Sequence, residues 1–161
     1  MSYGGESEIG FSTARGRDWP SVRQFSVFLE NRVGVMLDLV RKFEASNNRI
    51  VGMTVVENSD CAVIRMILKN PERAKEIFEL SKLPVIESDL IVVQLPEVSQ
   101  PLSVICQSLL AAELNIHYAY PLLFPPRNLP ALAIHVDDLE TAISTLQRQG
   151  YSVLTERDLA E

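Results

Sequence analysis

Three observations predict an α+β fold of two antiparallel βαββαβ units. First, the apolar residues change period along the chain, from the alternation of a strand to the three-and-four spacing of a helix and back, in the order β-α-β-β-α-β. Second, the chain then repeats that order. Displaced by 66 residues, Phe25, Val27, Leu29, Met36, Leu39, Phe43 and Ile50 fall on Ile91, Val93, Leu95, Leu102, Ile105, Leu109 and Ile116 without a gap. Beyond the first hairpin the displacement becomes 68, and Ile64, Met66, Leu68, Asn70, Ala74 and Phe78 fall on Leu132, Ile134, Val136, Asp138, Ala142 and Leu146. Third, the halves meet without a linker: "PVIESDLIVVQLP" holds the last strand of one and the first strand of the other. Each half therefore reads as a ferredoxin-like split βαβ unit, an antiparallel sheet with its helices on one face. The expected organisation is a flexible N-terminal arm over residues 1–20, a first unit over 21–89 and a second over 90–161.

Each element has a local reason. Residues 1–20 are rich in Gly, Ser and charge and lack periodicity, as a mobile arm ending at Trp19-Pro20 would. Over Val22–Leu29, Phe25, Val27 and Leu29 share one side of an extended chain, and Ser26 and Phe28 the other. From Gly34 to about Ser46, Val35, Met36, Leu39, Val40 and Phe43 make a helical stripe, which Asn47-Asn48 ends because Asn tolerates the left-handed conformation. Ile50–Glu57 and Ala62–Leu68 are β-rich runs joined by "NSD", a hairpin signal. Asn70-Pro71 starts a second helix, with Asn as cap and Pro at the first helical position, and its stripe is Ala74, Ile77 and Phe78. A strand around Val85 and Ile86 closes the unit. In the second half the hairpin tip lengthens from "ENSDC" to "LLFPPRNLP", where insertions are tolerated. The closing segments "PVIESDL" and "SVLTERDL" also match.

Composition narrows the function classes. Hydrophobic content of 47% with 22% charge is that of a soluble globular chain, and no apolar run reaches the ~20 residues that span a bilayer. The N-terminus lacks the basic-then-apolar pattern of a secretory signal, so the expected compartment is the cytoplasm. A formal charge of −6 argues against a nucleic-acid partner. Cys61 and Cys106 have no metal-like spacing and read as small buried apolar residues with reduced thiols.

If helices cover one sheet face, the other face is diagnostic. In the first unit it is expected to carry Phe28, Val51, Met53, Val55, Val63 and Ile67, an apolar set that something must cover: the second unit, a second chain or the arm. In the second unit the same positions hold Leu90, Val92, His117, Ala119, Ala133 and His135. His117 and His135 lie close by strand counting and could hold a metal or an anion. No third ligand has comparable placement, and two structural imidazoles are the plainer reading. Asp137-Asp138 is acidic but fits a helix start, with Asp138 as cap. No phosphate loop, zinc spacing or nucleophile turn occurs, and no Ser, His and Asp arrangement selects a triad.

The stretch Asn31–Gly34 joins a strand to a helix N-terminus, where backbone N–H groups are unpaired and negative charge is favoured. Gly34 permits a tight turn and close approach of a ligand, and Asn31 offers both donor and acceptor. Such a loop can hold an amino-acid carboxylate without catalysis. A glycine required by the turn alone is the alternative, and physics leaves both open.

The stretch "FLENRVGVMLDLVRKFEASNNRI" resembles the opening of an ACT domain, the small-molecule-sensing module of amino-acid metabolism, and the resemblance extends over about residues 22–159. It implies tandem ACT units, a non-catalytic regulatory role without a cofactor or metal, and amino-acid binding at interfaces between units. Carried onto matching positions, it implies Asn31, Arg32, Val33, Gly34 and Val35 as ligand-binding residues, with Asn48, Arg49 and Ile50 facing them from a neighbouring unit. Val33 stands where the family usually has Pro, and Gln100 where the second loop would have its glycine. The expected assembly is a homodimer. A second reading is an interaction subunit docking on an amino-acid biosynthetic enzyme, in the manner of an acetolactate synthase small subunit, with no ligand of its own.

Overall fold

The computed structural model describes residues 19–161; the arm expected over residues 1–20 lies outside them, Trp19 and Pro20 apart. The elements are β1 (Val22–Glu30), α1 (Val35–Ala45), β2 (Ile50–Glu57), β3 (Cys61–Leu68), α2 (Pro71–Ser81), β4 (Val85–Gln94), α3 (Pro101–Ala111), β5 (Ile116–Pro121), β6 (Ala131–Val136), α4 (Leu139–Arg148), β7 (Val153–Leu154) and α5 (Glu156–Ala160). The range of α3 is that of α1 displaced by 66 residues, and Asn47 and Glu113, equivalent under that displacement, both end their helices at positive φ. Asn70 caps α2 by accepting from the Arg73 N–H at 3.1 Å, and Asp138 caps α4 by accepting from the Thr141 N–H at 3.1 Å. Repeated local signals have built repeated elements, in the α+β architecture expected. Among the described residues no helix is long and apolar enough to cross a membrane.

The junction between the units is one continuous strand. The first part of β4 pairs with β1 (Val22 opposite Leu90), and its last part pairs with β6 (Ile91 opposite Ile134) and β7. The sheet therefore runs β2-β3-β1-β4-β6-β5 through both units. Its two edge strands meet again: Gly52 bridges to Leu122, and the Leu123 N–H donates to the Val51 carbonyl at 2.7 Å. A Cβ on Gly52 would stand 3.1 Å from Leu122 Cδ2, so the close approach of the two edges depends on this glycine. The closing segments differ more than their sequences suggest. "SVLTERDL" makes a two-residue strand and then turns into α5, because Thr155 and Asp158 form a reciprocal capping box.

Packing follows from this closure. Phe25, Val27, Phe43, Ile64, Met66 and Phe78 form the core between the first half-sheet and its helices, and Ile91, Ile105, Leu109, Ile134 and Leu146 form that of the second. A third cluster lies between the units, where Val51 and Ile67 pack with Tyr120, Leu122, Ala133 and Leu154. The second unit thus covers the Val51 and Ile67 part of the first unit's apolar face, while Phe28 and Val63 lie outside that cluster and are half-buried. Arg23 on β1 reinforces the joint through an ion pair at 3.0 Å with Glu156 of α5.

Two expectations about the faces need correction. Between Ile50 and Gly52 the register of β2 shifts against β3, a bulge after which the alternation inverts. Met53 therefore packs in the helix-side core, Val55 stands opposite the helix-side Ile64 and is largely exposed, and Thr54 and Val56 take the inner face. The equivalent shift in β5, between Ile116 and Tyr118, places Tyr118 and Tyr120 opposite His135 and Ala133, so Tyr120 and not Ala119 faces inward. The thiols also differ from expectation: Cys106 is exposed and Cys61 half-buried, since Cys106 lies beside rather than within the buried stripe of Ile105 and Leu109.

Candidate functional site

At the end of β1 the chain turns through Asn31–Gly34 into α1. Gly34 adopts φ 86°, the left-handed region, and its side has open space, with nothing within 4 Å of where a Cβ would stand. The turn needs a residue that tolerates positive φ, and what the glycine leaves is an unobstructed approach to the helix N-terminus. No side chain caps α1, unlike α2, α4 and α5, each of which has an oxygen acceptor at its start. The Asn31 amide donates to Glu57 at 2.6 Å, and the Val35 N–H reaches back to the Arg32 carbonyl at 3.4 Å. Among the described residues Arg32 makes only long, exposed ion pairs, 3.9 Å to Glu30 and 4.0 Å to Asp38, and is held loosely. Along α1 runs an open groove of about 590 Å³ lined by Arg32, Val35, Asp38, Arg41 and Lys42 among others, so three cations face one carboxylate. Val33 is fully exposed at the tip, and Met36 and Leu37 beside it are 42% and 51% exposed. Met36, expected in the buried stripe, is therefore largely outside it.

Asn48, Arg49 and Ile50 stand at the opposite end of the sheet, since β2 runs from Ile50 to Glu57, beside Asn31, over roughly 23 Å at ordinary strand rise. One chain does not bring the two groups together. Asn48 is buried and bridges both backbone groups of Asn70, donating to its carbonyl at 2.8 Å and accepting from its N–H at 2.9 Å. Ile50 packs against the first unit's core. Arg49 projects over the Phe124 ring at 4.5 Å, at the seam between units. The second unit's loop differs from the first: Gln100 precedes α3 at φ −130°, again without a side-chain cap, and Pro101 follows.

Between the units lies a polar constellation of which pattern reading found only one part, the closeness of His117 and His135. Gln24 is fully buried; it donates to the Tyr118 hydroxyl at 2.7 Å and to Ser88 Oγ at 3.2 Å, and accepts from the Tyr120 hydroxyl at 2.6 Å. Burial, with the neighbouring Tyr118, pushes the Tyr120 hydroxyl well above the ordinary phenol value. The Arg65 guanidinium lies 4.1 Å from the Tyr118 ring centre, His135 stacks on that ring at 4.8 Å and 4°, and His117 is 5.3 Å from His135. Burial, then the charges of His117 and Arg65, hold the His135 imidazole below its ordinary value. The available signal was the duplication itself, which sets Tyr118 and Tyr120 against the small Gly52 and Thr54. Among the described residues, no group of three or more His, Cys, Asp or Glu is placed to hold a metal ion.

The family described as an ACT domain pair matches residues 20–161. Protein BT0572 from Bacteroides thetaiotaomicron is similar in structure, with a TM-score of 0.79 at 23% identity over 88% of this chain and 96% of that one. The ligand-free regulatory subunit of aspartate kinase from Thermus thermophilus gives 0.55 at 11% identity, over 79% and 88% of the two chains. That from Thermus flavus gives 0.51 at 9%, over 80% and 91%. At these identities the structural likeness is one of fold. No curated protein matches the sequence.

Proposed function

The chain belongs to the ACT domain pair family, and from that membership we propose that it is a non-catalytic regulatory module that binds an amino acid or similar small metabolite. The observation that carries the reading is the start of α1: an uncapped helix N-terminus, opened by Gly34 in the left-handed conformation, beside a groove with an excess of cations. Backbone N–H groups there attract a carboxylate, and Arg32, Arg41 and Lys42 add to the attraction. None of these groups is a good proton acceptor near neutral pH, so a ligand held there is sensed and released unchanged.

The exposed Val33, Met36 and Leu37 beside the loop support a second copy of the chain covering it, which would bring in the partner residues that one chain leaves at the far end of its sheet. Ligand would then favour the dimer by binding it better than the separate chains. The part of the inner apolar face around Val51 and Ile67, which docking on an enzyme would have used, is occupied by the second unit.

A thermal-shift screen of the full chain against the twenty amino acids tests the reading, since a ligand of the native state raises apparent stability. Gly34→Val should abolish the shift, while Gly34→Asn, which tolerates the backbone conformation, serves as the folded control. No shift with any amino acid, or a shift removed by Gln100 substitutions and unchanged in Gly34→Val, would overturn the assignment to this loop.

A further inference from the structure

We propose that the cavity formed where the hairpin tip of the second unit folds over the start of β2 binds a compact oxyanion of two or more charges, a phosphate or a dicarboxylate, between Arg49, Lys69 and Arg127. The lengthened tip "LLFPPRNLP" is held there by its backbone: the Leu123 and Phe124 N–H groups both donate to the Val51 carbonyl, at 2.7 and 3.3 Å. Tip, strand ends and α5 together enclose about 190 Å³, and all three cations line that one space. It lies at the Ile50 end of β2, whereas Asn31 stands beside Glu57 at the other, so the site is separate from the α1 loop and does not depend on it.

The positive charge there is not compensated within the described structure. Arg49 and Lys69 stand opposite each other just beyond the Ile50–Leu68 pair, with the Lys69 N–H donating to the Arg49 carbonyl at 2.9 Å. Directly opposite residues share a sheet face, and like charges in that arrangement repel. Arg127 enters from the tip at φ 56°, a left-handed backbone that a turn by itself favours Gly or Asn to adopt. The chain has 21 acidic residues against 15 basic ones, yet these three cations form no ion pair among the described residues. Two carboxylates, Asp158 and Glu161, line the same cavity and leave it an excess of positive charge. Asp158 is moreover committed through Oδ2 to the Thr155 N–H and hydroxyl, at 2.7 and 3.0 Å. The Arg49 guanidinium carbon lies 4.5 Å from the Phe124 ring centre, a contact that spends none of its N–H donors on a hydrogen bond. An oxyanion among the three would relieve the repulsion and accept charge-assisted hydrogen bonds from each. The occupant would be small, since the volume falls below the ~300 Å³ at which pockets for drug-sized ligands begin. It would also tie the two units together, because each contributes cations to the cavity.

The test is an NMR titration of the full chain with inorganic phosphate, and separately with succinate, at low ionic strength. The expected result is saturable movement of the Arg49, Lys69 and Arg127 amide signals, with the Val35 and Met36 amides at the α1 loop unmoved. Whichever anion saturates identifies phosphate or carboxylate as the chemistry. Lys69→Gln and Arg127→Gln, both at exposed positions, should each weaken the binding about tenfold or more, the loss expected for one charge-assisted contact. Lys82→Gln removes the same charge at the end of α2 and should leave the affinity unchanged. Failure of both anions to saturate, equal affinity in the wild type and both cavity variants, or a loss in Lys82→Gln as large as theirs overturns the proposal.

Discussion

Gln24 and Tyr120 offer a direct measurement of how strongly the two units are coupled by polar contact. They lie 96 positions apart, one in each unit, joined by a 2.6 Å hydrogen bond in a place water does not reach: Gln24 is fully buried and Tyr120 nearly so. Gln24→Met keeps the length of the side chain and removes its polar end. Tyr118 and Ser88 also lose a partner, but both reach solvent and recover most of the loss. The Tyr120 hydroxyl cannot, and stranding it costs about 1–3 kcal/mol. The expected total for Gln24→Met is about 2–4 kcal/mol, and for Tyr120→Phe, which strands the Gln24 carbonyl oxygen, about 1–3 kcal/mol. The double variant removes both ends of the bond, so it should be more stable than the sum of the singles predicts, by about 1–2 kcal/mol. Urea unfolding of the four proteins reads this directly, and for a chain of this size each kcal/mol corresponds to about 2–4 °C in melting temperature. Additivity within about 0.5 kcal/mol would refute the claim that the two side chains satisfy each other in a dry interface.

Ile67→Ala, at a fully buried position in the cluster between units, should cost about 2–5 kcal/mol and leave a single calorimetric transition; two separated transitions in the wild type would show that the units fold independently. Gly34→Ala should cost about 1–2 kcal/mol in urea unfolding from left-handed strain alone, because its side chain meets open space. Asn48→Ala should cost about 1–3 kcal/mol by stranding the Asn70 backbone groups, a structural loss visible without any ligand. His135, lowered by burial and by facing His117 and Arg65, binds its proton more readily in the unfolded chain. Its stabilising contribution is therefore present above about pH 6.5 and is lost as pH falls through the lowered folded value. His135→Gln should flatten the stability profile over that window; an unchanged profile would show that another group titrates there.

The sequence by itself determined what short stretches can encode. The order of elements, the caps at Asn70 and Asp138 and the turn into α1 at Gly34 depend on residues within a few positions of one another, the duplication is the recurrence of such local signals at a fixed displacement, and all stand where the pattern put them. The Asn31–Val35 loop was legible for the same reason. Only the tertiary structure decided the faces. A single bulged residue in β2 and its counterpart in β5 invert the alternation, turning Met53 outward to the helices and Tyr120 inward, and no local pattern marks where the ladder slips. The continuous β4 and the Gly52–Leu122 contact then curl the sheet until the two open faces meet. That closure assembles Gln24, Arg65, Tyr118 and His135 from strands distant in sequence. Gln24, Arg65 and Tyr118 each read alone as an ordinary polar strand position, and the pattern paired His135 only with His117; their chemistry comes from pairing across the interface, and such pairing exists only once the chain has folded.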